Sequence, residues 1–121
     1  MAQTLGEQFA RAVAAKDHEC IRELMHPEVD FQAMTPRRIW DANGPQDVVD
    51  AVGVWFDDSD DIESLVSVET DAFADRERVG YRLFIRNADG PFFVEQQAYL
   101  TARDGRIGWL RIMCSGYRPA G

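Results

Sequence analysis

VGYRLFIRNADGPFFVEQQAYLTARDGRIGWLRIMCS, residues 79–115, holds three runs of strand-forming residues separated by short turn signals. The runs are Val79–Arg86, Phe92–Ala102 and Ile107–Ser115, and the separators are Asp89-Gly90 and Asp104-Gly105. Asp-Gly between alternating residues is typical of a tight β-hairpin. Because short connections make neighbouring strands antiparallel, we predict a meander that begins with a fourth run, Leu65–Phe73.

Three helices are predicted before the meander, each from a start signal followed by apolar residues at helical spacing. Thr4, with Glu7 three residues later, has the form of a capping box. Asp17 can cap a short second helix that His26-Pro27 ends, and Pro45 takes the favoured first position of a third. The expected buried stripes are Leu5, Phe9, Ala12 and Val13; Ile21, Leu24 and Met25; and Val48, Val52, Trp55 and Phe56.

The first strand is predicted over Val29–Met34, where apolar and polar residues alternate. Its register stays open, with either Phe31 and Ala33 or Asp30 and Gln32 toward the interior. Residues 37–42 would return as a short strand or loop. The order helix, helix, strand, helix and four strands predicts one α+β domain over residues 1–121.

Composition excludes several classes of partner. The net charge of −8 disfavours nucleic acid and anionic membranes, which both require basic residues. No apolar run approaches the roughly 20 residues that span a bilayer. Met1–Glu7 lacks the basic and apolar parts of a signal peptide, so we expect a cytoplasmic location.

Metal and cofactor motifs are absent from the sequence. His18 and His26 are its two histidines, and no ligand set for zinc can be assembled around them. The acidic run at 57–61 lacks the glycine and glutamate of a calcium loop and is interpreted as a solvated loop. Cys20 and Cys114 are expected to be buried, reduced thiols. We therefore expect neither a metal nor a cofactor.

Two N-terminal stretches, FARAVAAKD at 9–17 and IRELMHPEV at 21–29, together with DGRI at 104–107 before the last strand, resemble the nuclear transport factor 2-like superfamily. SnoaL-like polyketide cyclases, ketosteroid isomerases and limonene-epoxide hydrolases belong to it. The resemblance covers nearly the whole chain. It implies a cone-shaped α+β barrel, with three helices packed on a strongly curved, mainly antiparallel sheet and a pocket between them.

The resemblance does not imply the chemistry of ketosteroid isomerases, which use an aspartate base with a tyrosine and a protonated aspartate. The matching positions carry Phe9, Ala33 and Gln97. Because the superfamily also includes binding modules and transport factors, the fold leaves function open.

Alternation within the strands gives a candidate site. If Glu95 and Gln97 face the pocket, Glu95 becomes the candidate acid or base, because burial among apolar side chains favours its neutral form. A rim position paired with an arginine is the alternative for Glu95. Trp40 would lie at the mouth of the pocket or anchor a loop. The remaining candidate substrate-binding residues are Tyr81, Tyr99, Phe9, Phe31, Leu83, Leu110 and Ile112.

These features favour a cofactor-independent enzyme that acts on a small, largely apolar molecule by isomerisation, cyclisation, dehydration or hydrolysis. A non-catalytic binding module and an assembly domain with a filled pocket are the alternatives. The second face of the sheet also carries apolar residues, which predicts a homodimer through the convex face. The residues assigned to that face are Phe84, Phe92, Val94, Leu100, Trp109 and Met113, with Arg82, Arg86 and Arg111 between them.

Overall fold

A computed structural model describes residues 3–121 of the chain. Within that range the polypeptide forms three helices and seven strands. Their bounds are α1 Leu5–Ala14, α2 His18–Leu24, β1 Met25–Thr35, β2 Arg38–Asn43, α3 Pro45–Trp55, β3 Asp61–Phe73, β4 Arg76–Asn87, β5 Gly90–Arg103, β6 Arg106–Cys114 and β7 Arg118–Pro119.

The strands of the described region form one curled sheet in the order β2-β1-β6-β5-β4-β3, with β7 paired to β5. All neighbours are antiparallel except β1 and β6, which run parallel. A parallel pair needs a long crossover, and the chain between β1 and β6 supplies it. The α+β fold with three helices on a mainly antiparallel sheet is confirmed.

The predicted start signals of the helices are present. Thr4 Oγ1 accepts a hydrogen bond from the backbone N–H of Glu7, and Asp17 accepts one from Cys20. Helix α1 approaches β4 closely, because the N–H of Gly6 donates to Glu77 Oε1 at 2.7 Å. A Cβ at residue 6 would displace that carboxylate and would also lie 2.9 Å from Val79 Cβ, which is fixed in β4, so this close approach favours glycine.

Strand β1 differs from its predicted bounds. It begins at Met25, which was assigned to the second helix, rather than at Val29. The residue before a proline avoids the α region, so His26 is extended and the strand starts before Pro27. The open register of β1 resolves with Phe31 and Ala33 buried and Asp30 and Gln32 exposed.

The assignment of faces in β5 was wrong. Val94, Leu100 and the residues between them at even positions are buried, whereas Glu95 and the other odd positions point outward. The reason is the hairpin register, in which Tyr81 of β4 pairs with Gln96 and Leu83 pairs with Val94. Directly opposed residues project to the same face of a sheet. The buried face of β4 therefore meets the even positions of β5.

The core lies between the helices and the inner face of the sheet. The largest fully buried side chains of the core include Tyr81, Phe9, Phe31, Met25, Leu83, Ile85, Leu100 and Leu110. No helix in residues 3–121 has both the length and the apolar character needed to cross a membrane.

Candidate functional site

A cavity of about 290 Å³ opens at one end of the sheet, between α3, the β1–β2 turn and the C-terminus. None of the side chains that line it is charged. They are Thr35, Pro36, Trp55, Phe56, Cys114, Gly116 and Tyr117. The size is at the lower end of ordinary ligand sites, and the apolar wall suits a small, largely apolar molecule.

Aromatic rings in mutual contact, mostly edge-on, form one wall of the cavity. Trp55, at the end of α3, packs edge-on against Trp40 at 5.9 Å and against Phe56 at 6.5 Å between ring centroids. Phe31 of β1 lies 6.2 Å away on the inner side. The Trp40 indole donates to Thr35 Oγ1 at 2.8 Å, which orients its ring. Rings held on several sides give the cavity a rigid aromatic wall.

Residues 115–120, here called the C-terminal strap, form the opposite wall. The N–H of Ser115 donates to the carbonyl of Glu95, and the N–H of Ala120 donates to the carbonyl of Pro91. Gly116 has a φ of +76°, a conformation that favours glycine. A Cβ there would also lie 2.7 Å from the Pro36 ring. The strap thus turns sharply beside Pro36 and closes the side of the cavity.

Asp60 is the one acidic side chain that is buried in the described region, and it lies behind Tyr117. Its Oδ2 accepts from the Tyr117 hydroxyl at 2.8 Å, and its Oδ1 accepts from Asn87 at 2.9 Å. The same hydroxyl lies 2.7 Å from the carbonyl oxygen of Trp55, so its single hydrogen is shared between two acceptors. Burial, followed by the bond to Asp60, raises the pKa of Tyr117 far above its ordinary value.

Lys16 holds the loop that carries Asp60. Its Nζ donates to the carbonyl of Asp57 at 2.7 Å and to the carbonyl of Asp60. The prediction of a wholly solvated loop at 57–61 is therefore wrong for Asp60, although Asp57 and Asp58 are exposed. The cause is tertiary, because the partners of Asp60 come from the strap, from β4 and from the turn between α1 and α2.

A second buried polar pair lies on the inner face of the sheet. The hydroxyl of Tyr81 donates to Gln96 Oε1 at 2.5 Å, and both residues are buried. Burial raises the pKa of Tyr81 far above its ordinary value, with a smaller contribution from Cys114. Gln96 pairs across the sheet with Cys114, which lines the cavity. Tyr81, Gln96 and Cys114 thus lie side by side on three neighbouring strands, and only Cys114 lines the cavity.

Cys114 is a free thiol that is half-buried rather than fully buried as expected. Its Sγ accepts from the N–H of Gly116 at 3.4 Å. Cys20, also free and half-buried, belongs to α2, on a different element.

The predicted catalytic residue, Glu95, faces away from the interior. Its Oε1 accepts from Arg82 at 2.9 Å on the outer face of the sheet, and roughly half of each side chain is exposed (44% and 50%). The expectation that Glu95 would be desolvated among apolar side chains is wrong. Of the alternative, the pairing with an arginine is present, but Glu95 lies on the outer face of the sheet and not at the rim of the cavity. Its backbone, however, anchors the strap through Ser115.

Gln97 and Tyr99 share the outer face with Glu95. The Gln97 amide accepts from Arg78 at 3.3 Å and covers Gly80, while Tyr99 is 40% exposed. Neither lies at the cavity, so the grouping of Glu95, Gln97 and Tyr99 in a pocket was wrong. All three belong to odd positions of β5, which the hairpin register turns outward.

None of the remaining candidate binding residues lies on the cavity wall; Trp40 is half-buried and the others are buried. Phe9 is buried edge-on against Tyr81, with 6.4 Å between ring centroids. Trp40 and Phe31 support Trp55 from behind. Leu83, Leu110 and Ile112 fill the core beneath.

The convex face was also partly misassigned. Val94 and Leu100 belong to the core, and Phe92 packs edge-on against Tyr117. Met113 is exposed on the outer face, as expected. Trp109 lies there between the guanidinium groups of Arg76 and Arg111, and Phe84 contacts Phe93.

No group of three or more His, Cys, Asp or Glu side chains within residues 3–121 is arranged to hold a metal ion. Sequence reasoning missed Asp60, Gln96, Cys114 and Tyr117 as members of the site. The signal for Gln96 was present in the β4–β5 hairpin, whose short loop pairs the odd positions of β4 with the even positions of β5. Nothing local in the sequence distinguishes Asp60 from its acidic neighbours.

No protein-family model and no curated protein matches the sequence. Solved structures do match the fold. A provisionally assigned isomerase from Rhodopseudomonas palustris aligns with a TM-score of 0.72 and 17% identity over 96% of this chain and 93% of its own.

Two further structures align over similar lengths. A provisionally assigned polyketide cyclase from Xanthomonas campestris gives a TM-score of 0.72 with 15% identity, over 90% of this chain and 86% of its own. A LEH-like epoxide hydrolase from M. tuberculosis gives a TM-score of 0.64 with 11% identity, over 92% of this chain and 80% of its own. At these identities the likeness concerns the fold. The chain has the nuclear transport factor 2-like fold, the architecture of these isomerase, cyclase and hydrolase structures.

Proposed function

We propose that the chain binds a small, largely apolar molecule in the cavity between Trp55 and the strap. We further propose that it acts on this molecule by acid–base chemistry of the isomerase, cyclase, dehydratase or hydrolase type. The observation that carries the proposal is an uncharged cavity of about 290 Å³ beside a buried carboxylate. Such juxtapositions of an apolar pocket with a few convergent polar groups are typical of ligand sites.

Asp60 is the candidate proton carrier in this proposal. It replaces Glu95, because Glu95 lies on the outer face and is half-exposed. Asp60 does not line the cavity itself. Tyr117 connects the two, because its ring lines the wall and its hydroxyl contacts the Asp60 carboxylate. The proton would move through the Tyr117 hydroxyl: as Asp60 takes the phenolic hydrogen, the phenol oxygen accepts a proton from the ligand, so Tyr117 stays neutral. The names of the structural neighbours, an isomerase, a cyclase and an epoxide hydrolase, support this class of chemistry.

Binding is tested with N-phenyl-1-naphthylamine, a neutral probe whose fluorescence rises in apolar surroundings. We expect saturable binding to the wild-type chain. Cys114→Phe fills the cavity and should weaken binding at least tenfold. Met113→Phe is the matched control, because Met113 is the neighbouring residue but points outward. Equal binding by both variants would place the probe elsewhere.

Catalysis is tested with a panel of neutral cyclic ketones, enones and epoxides, with products followed by mass spectrometry. On any substrate that the wild type converts, Asp60→Asn should lower the rate about 10²–10⁴-fold, the usual contribution of a general acid or base. Glu95→Gln is the matched control and should leave the rate unchanged. A rate that falls in Glu95→Gln but not in Asp60→Asn would assign the role of general acid or base to Glu95.

A non-catalytic binding module is the second candidate. It is favoured by one observation, that Asp60 does not itself line the cavity but lies behind Tyr117. This alternative would be established by a ligand that binds in the cavity and that neither the wild type nor Asp60→Asn converts to a product.

We also propose that a second copy of the chain covers the outer face of the sheet. Exposed apolar side chains adjoin there across β2, β1 and β6, in a shallow groove that includes Met34, Ile39 and Met113. Phe93 and Tyr99 extend this apolar surface on β5. Contiguous apolar surface of this kind usually marks an interface, and the helices cover only the opposite face.

A further inference from the structure

Lys16 is the only lysine in the sequence, and its backbone adopts an unusual conformation. Its φ is +54°, in the left-handed region, where any residue other than glycine is strained. It directly follows Ala15, the C-cap of α1. A strained residue persists where the surrounding structure holds it in place, so the contacts of its side chain indicate why a lysine is present.

The end of α1 has a geometry in which glycine is the usual residue. The N–H of Lys16 donates to the carbonyl of Val13 at 3.1 Å, and the N–H of Asp17 donates to the carbonyl of Ala12 at 2.9 Å. These two hydrogen bonds form a Schellman motif, whose left-handed position is most often glycine. Termination of the helix therefore does not explain the lysine side chain.

The Lys16 ammonium holds both ends of the turn between α3 and β3. Nζ donates to the carbonyl of Asp57 at 2.7 Å and to the carbonyl of Asp60. The N–H of Asp60 closes the turn, because it donates to the same Asp57 carbonyl at 3.0 Å. Lys16 thus fixes the backbone from which the Asp60 side chain enters the interior.

Asp60 connects Lys16 to the C-terminal strap. Its carboxylate is buried and accepts from the Tyr117 hydroxyl at 2.8 Å. Tyr117 belongs to the strap, and its ring lines the cavity. A displacement of the turn would therefore move the carboxylate away from the hydroxyl and release one of the bonds that hold the strap.

We infer that Lys16 positions Asp60 and, through Asp60, keeps the C-terminal strap closed beside the cavity. This inference rests on the proposed function, because it assigns control of the proposed proton carrier and of access to the same cavity. Lys16 is a positioning residue and takes no part in a covalent step.

Three substitutions separate this role from termination of the helix. Lys16→Met removes the ammonium and keeps the strained backbone. Lys16→Gly also removes the ammonium but relieves the strain, so it should unfold at a higher urea concentration than Lys16→Met. Lys16→Arg keeps a cation with several N–H donors.

Alkylation of Cys114 by iodoacetamide in a Cys20→Ser background reports opening of the strap, with neither ligand nor substrate present. Lys16→Met and Lys16→Gly should both accelerate it about fivefold, the factor that one hydrogen bond of ordinary strength contributes. Lys16→Arg should leave the rate unchanged. The inference would be overturned by rates that follow the urea midpoints, or by an arginine variant that is alkylated as fast as Lys16→Met.

The combination of Lys16→Met with Tyr117→Phe tests whether Lys16 acts through Asp60. Once the Tyr117 hydroxyl is absent, the position of Asp60 no longer affects the strap, so Lys16→Met should cause no further acceleration. Two independent effects would instead multiply. A product of the two factors would overturn the action through Asp60.

Activity separates the failure of this inference from that of the proposed function. On a substrate that the wild type converts, Lys16→Met should lower kcat about tenfold with little change in KM, because the carboxylate is displaced but the cavity wall remains. An unchanged rate, with Asp60→Asn impaired, would overturn the positioning role and leave the proposed function intact. If N-phenyl-1-naphthylamine does not bind and no substrate is converted, the proposed function falls, while the alkylation rates still establish how Lys16 controls the strap.

Discussion

Tyr81 and Gln96 form a buried hydrogen bond, 2.5 Å between the hydroxyl oxygen and Oε1, between two adjacent strands of the sheet. Every immediate neighbour on the inner face of these strands is apolar, including Val79, Leu83 and Val94. The Tyr81 hydroxyl and Gln96 Oε1 satisfy each other, whereas Gln96 Nε2 has no partner within residues 3–121. The bond fixes the position of the amide in the core, beside Cys114 on the next strand.

Gln96→Leu should destabilise the fold by about 1–3 kcal/mol, because it leaves the Tyr81 hydroxyl buried without a partner. Urea unfolding measures the change. Adding Tyr81→Phe should recover much of the loss, since both polar groups are then gone. Gln97→Leu, a change of the same type on the outer face, should stay within about 0.5 kcal/mol. Equal losses for the two single variants would contradict the buried pairing.

Stability should fall at alkaline pH because the folded chain holds the proton of Tyr81. The pKa of Tyr81 is raised in the folded state, whereas an unfolded tyrosine titrates near about 10. The stabilisation is thus fully present below about pH 10 and is lost as the pH rises further, by about 1.4 kcal/mol per pH unit for each such group. Tyr81→Phe should make this slope shallower in urea unfolding between pH 9 and 11. Phe31→Leu should lower the free energy of unfolding at every pH without changing its dependence on pH.

Tyr117→Phe should loosen the strap, because it removes the hydroxyl that contacts Asp60 and the Trp55 carbonyl but keeps the ring. Cys114 lies behind the strap and reports the loosening through its reaction with a thiol reagent. In a Cys20→Ser background we expect labelling to accelerate about five- to tenfold, as for the loss of one hydrogen bond that contributes about 1 kcal/mol. Tyr99→Phe is the control, since Tyr99 lies on the outer face. An unchanged rate in Tyr117→Phe would mean that the hydroxyl does not hold the strap.

A second copy on the outer face is tested by Met113→Glu. Met113 is 56% exposed beside Met34, its partner in the parallel β1–β6 pairing. Light scattering at micromolar concentration should show a dimer for the wild type and a monomer for the variant, because burying a carboxylate in this apolar groove costs its hydration. Ser67→Glu, an exposed position on β3 at the opposite edge of the sheet, should have a smaller effect. A monomeric wild type would exclude this interface.

The fold was predictable because its determinants are local. Helix caps at Thr4 and Asp17, the proline at position 45 and the Asp-Gly turns each specify one boundary. Short turns then leave little freedom in how β4, β5 and β6 are joined. The start of β1 at Met25 was missed because the helical spacing of Ile21, Leu24 and Met25 competes with the effect of Pro27 on its neighbour.

The site was less predictable because it depends on register and on distant contacts. With the odd positions of β4 buried, a two-residue hairpin loop places even positions of β5 on the same face, which selects Gln96 over Glu95. The sequence pattern did not reveal which positions of β5 are buried, because aromatic residues such as Phe93 and Tyr99 also occur on its outer face. Asp60 could not be identified at all from its surroundings, since its partners Asn87 and Tyr117 are 27 and 57 residues away.

Protection of Cys114 by a bound ligand tests the central claim most directly. In the Cys20→Ser variant, the rate of alkylation by iodoacetamide is measured with and without saturating N-phenyl-1-naphthylamine. A ligand in the cavity covers the Cys114 wall, so we predict that alkylation slows at least tenfold. An unchanged rate under conditions where the fluorescence shows the probe to be bound would place the ligand elsewhere and contradict the account.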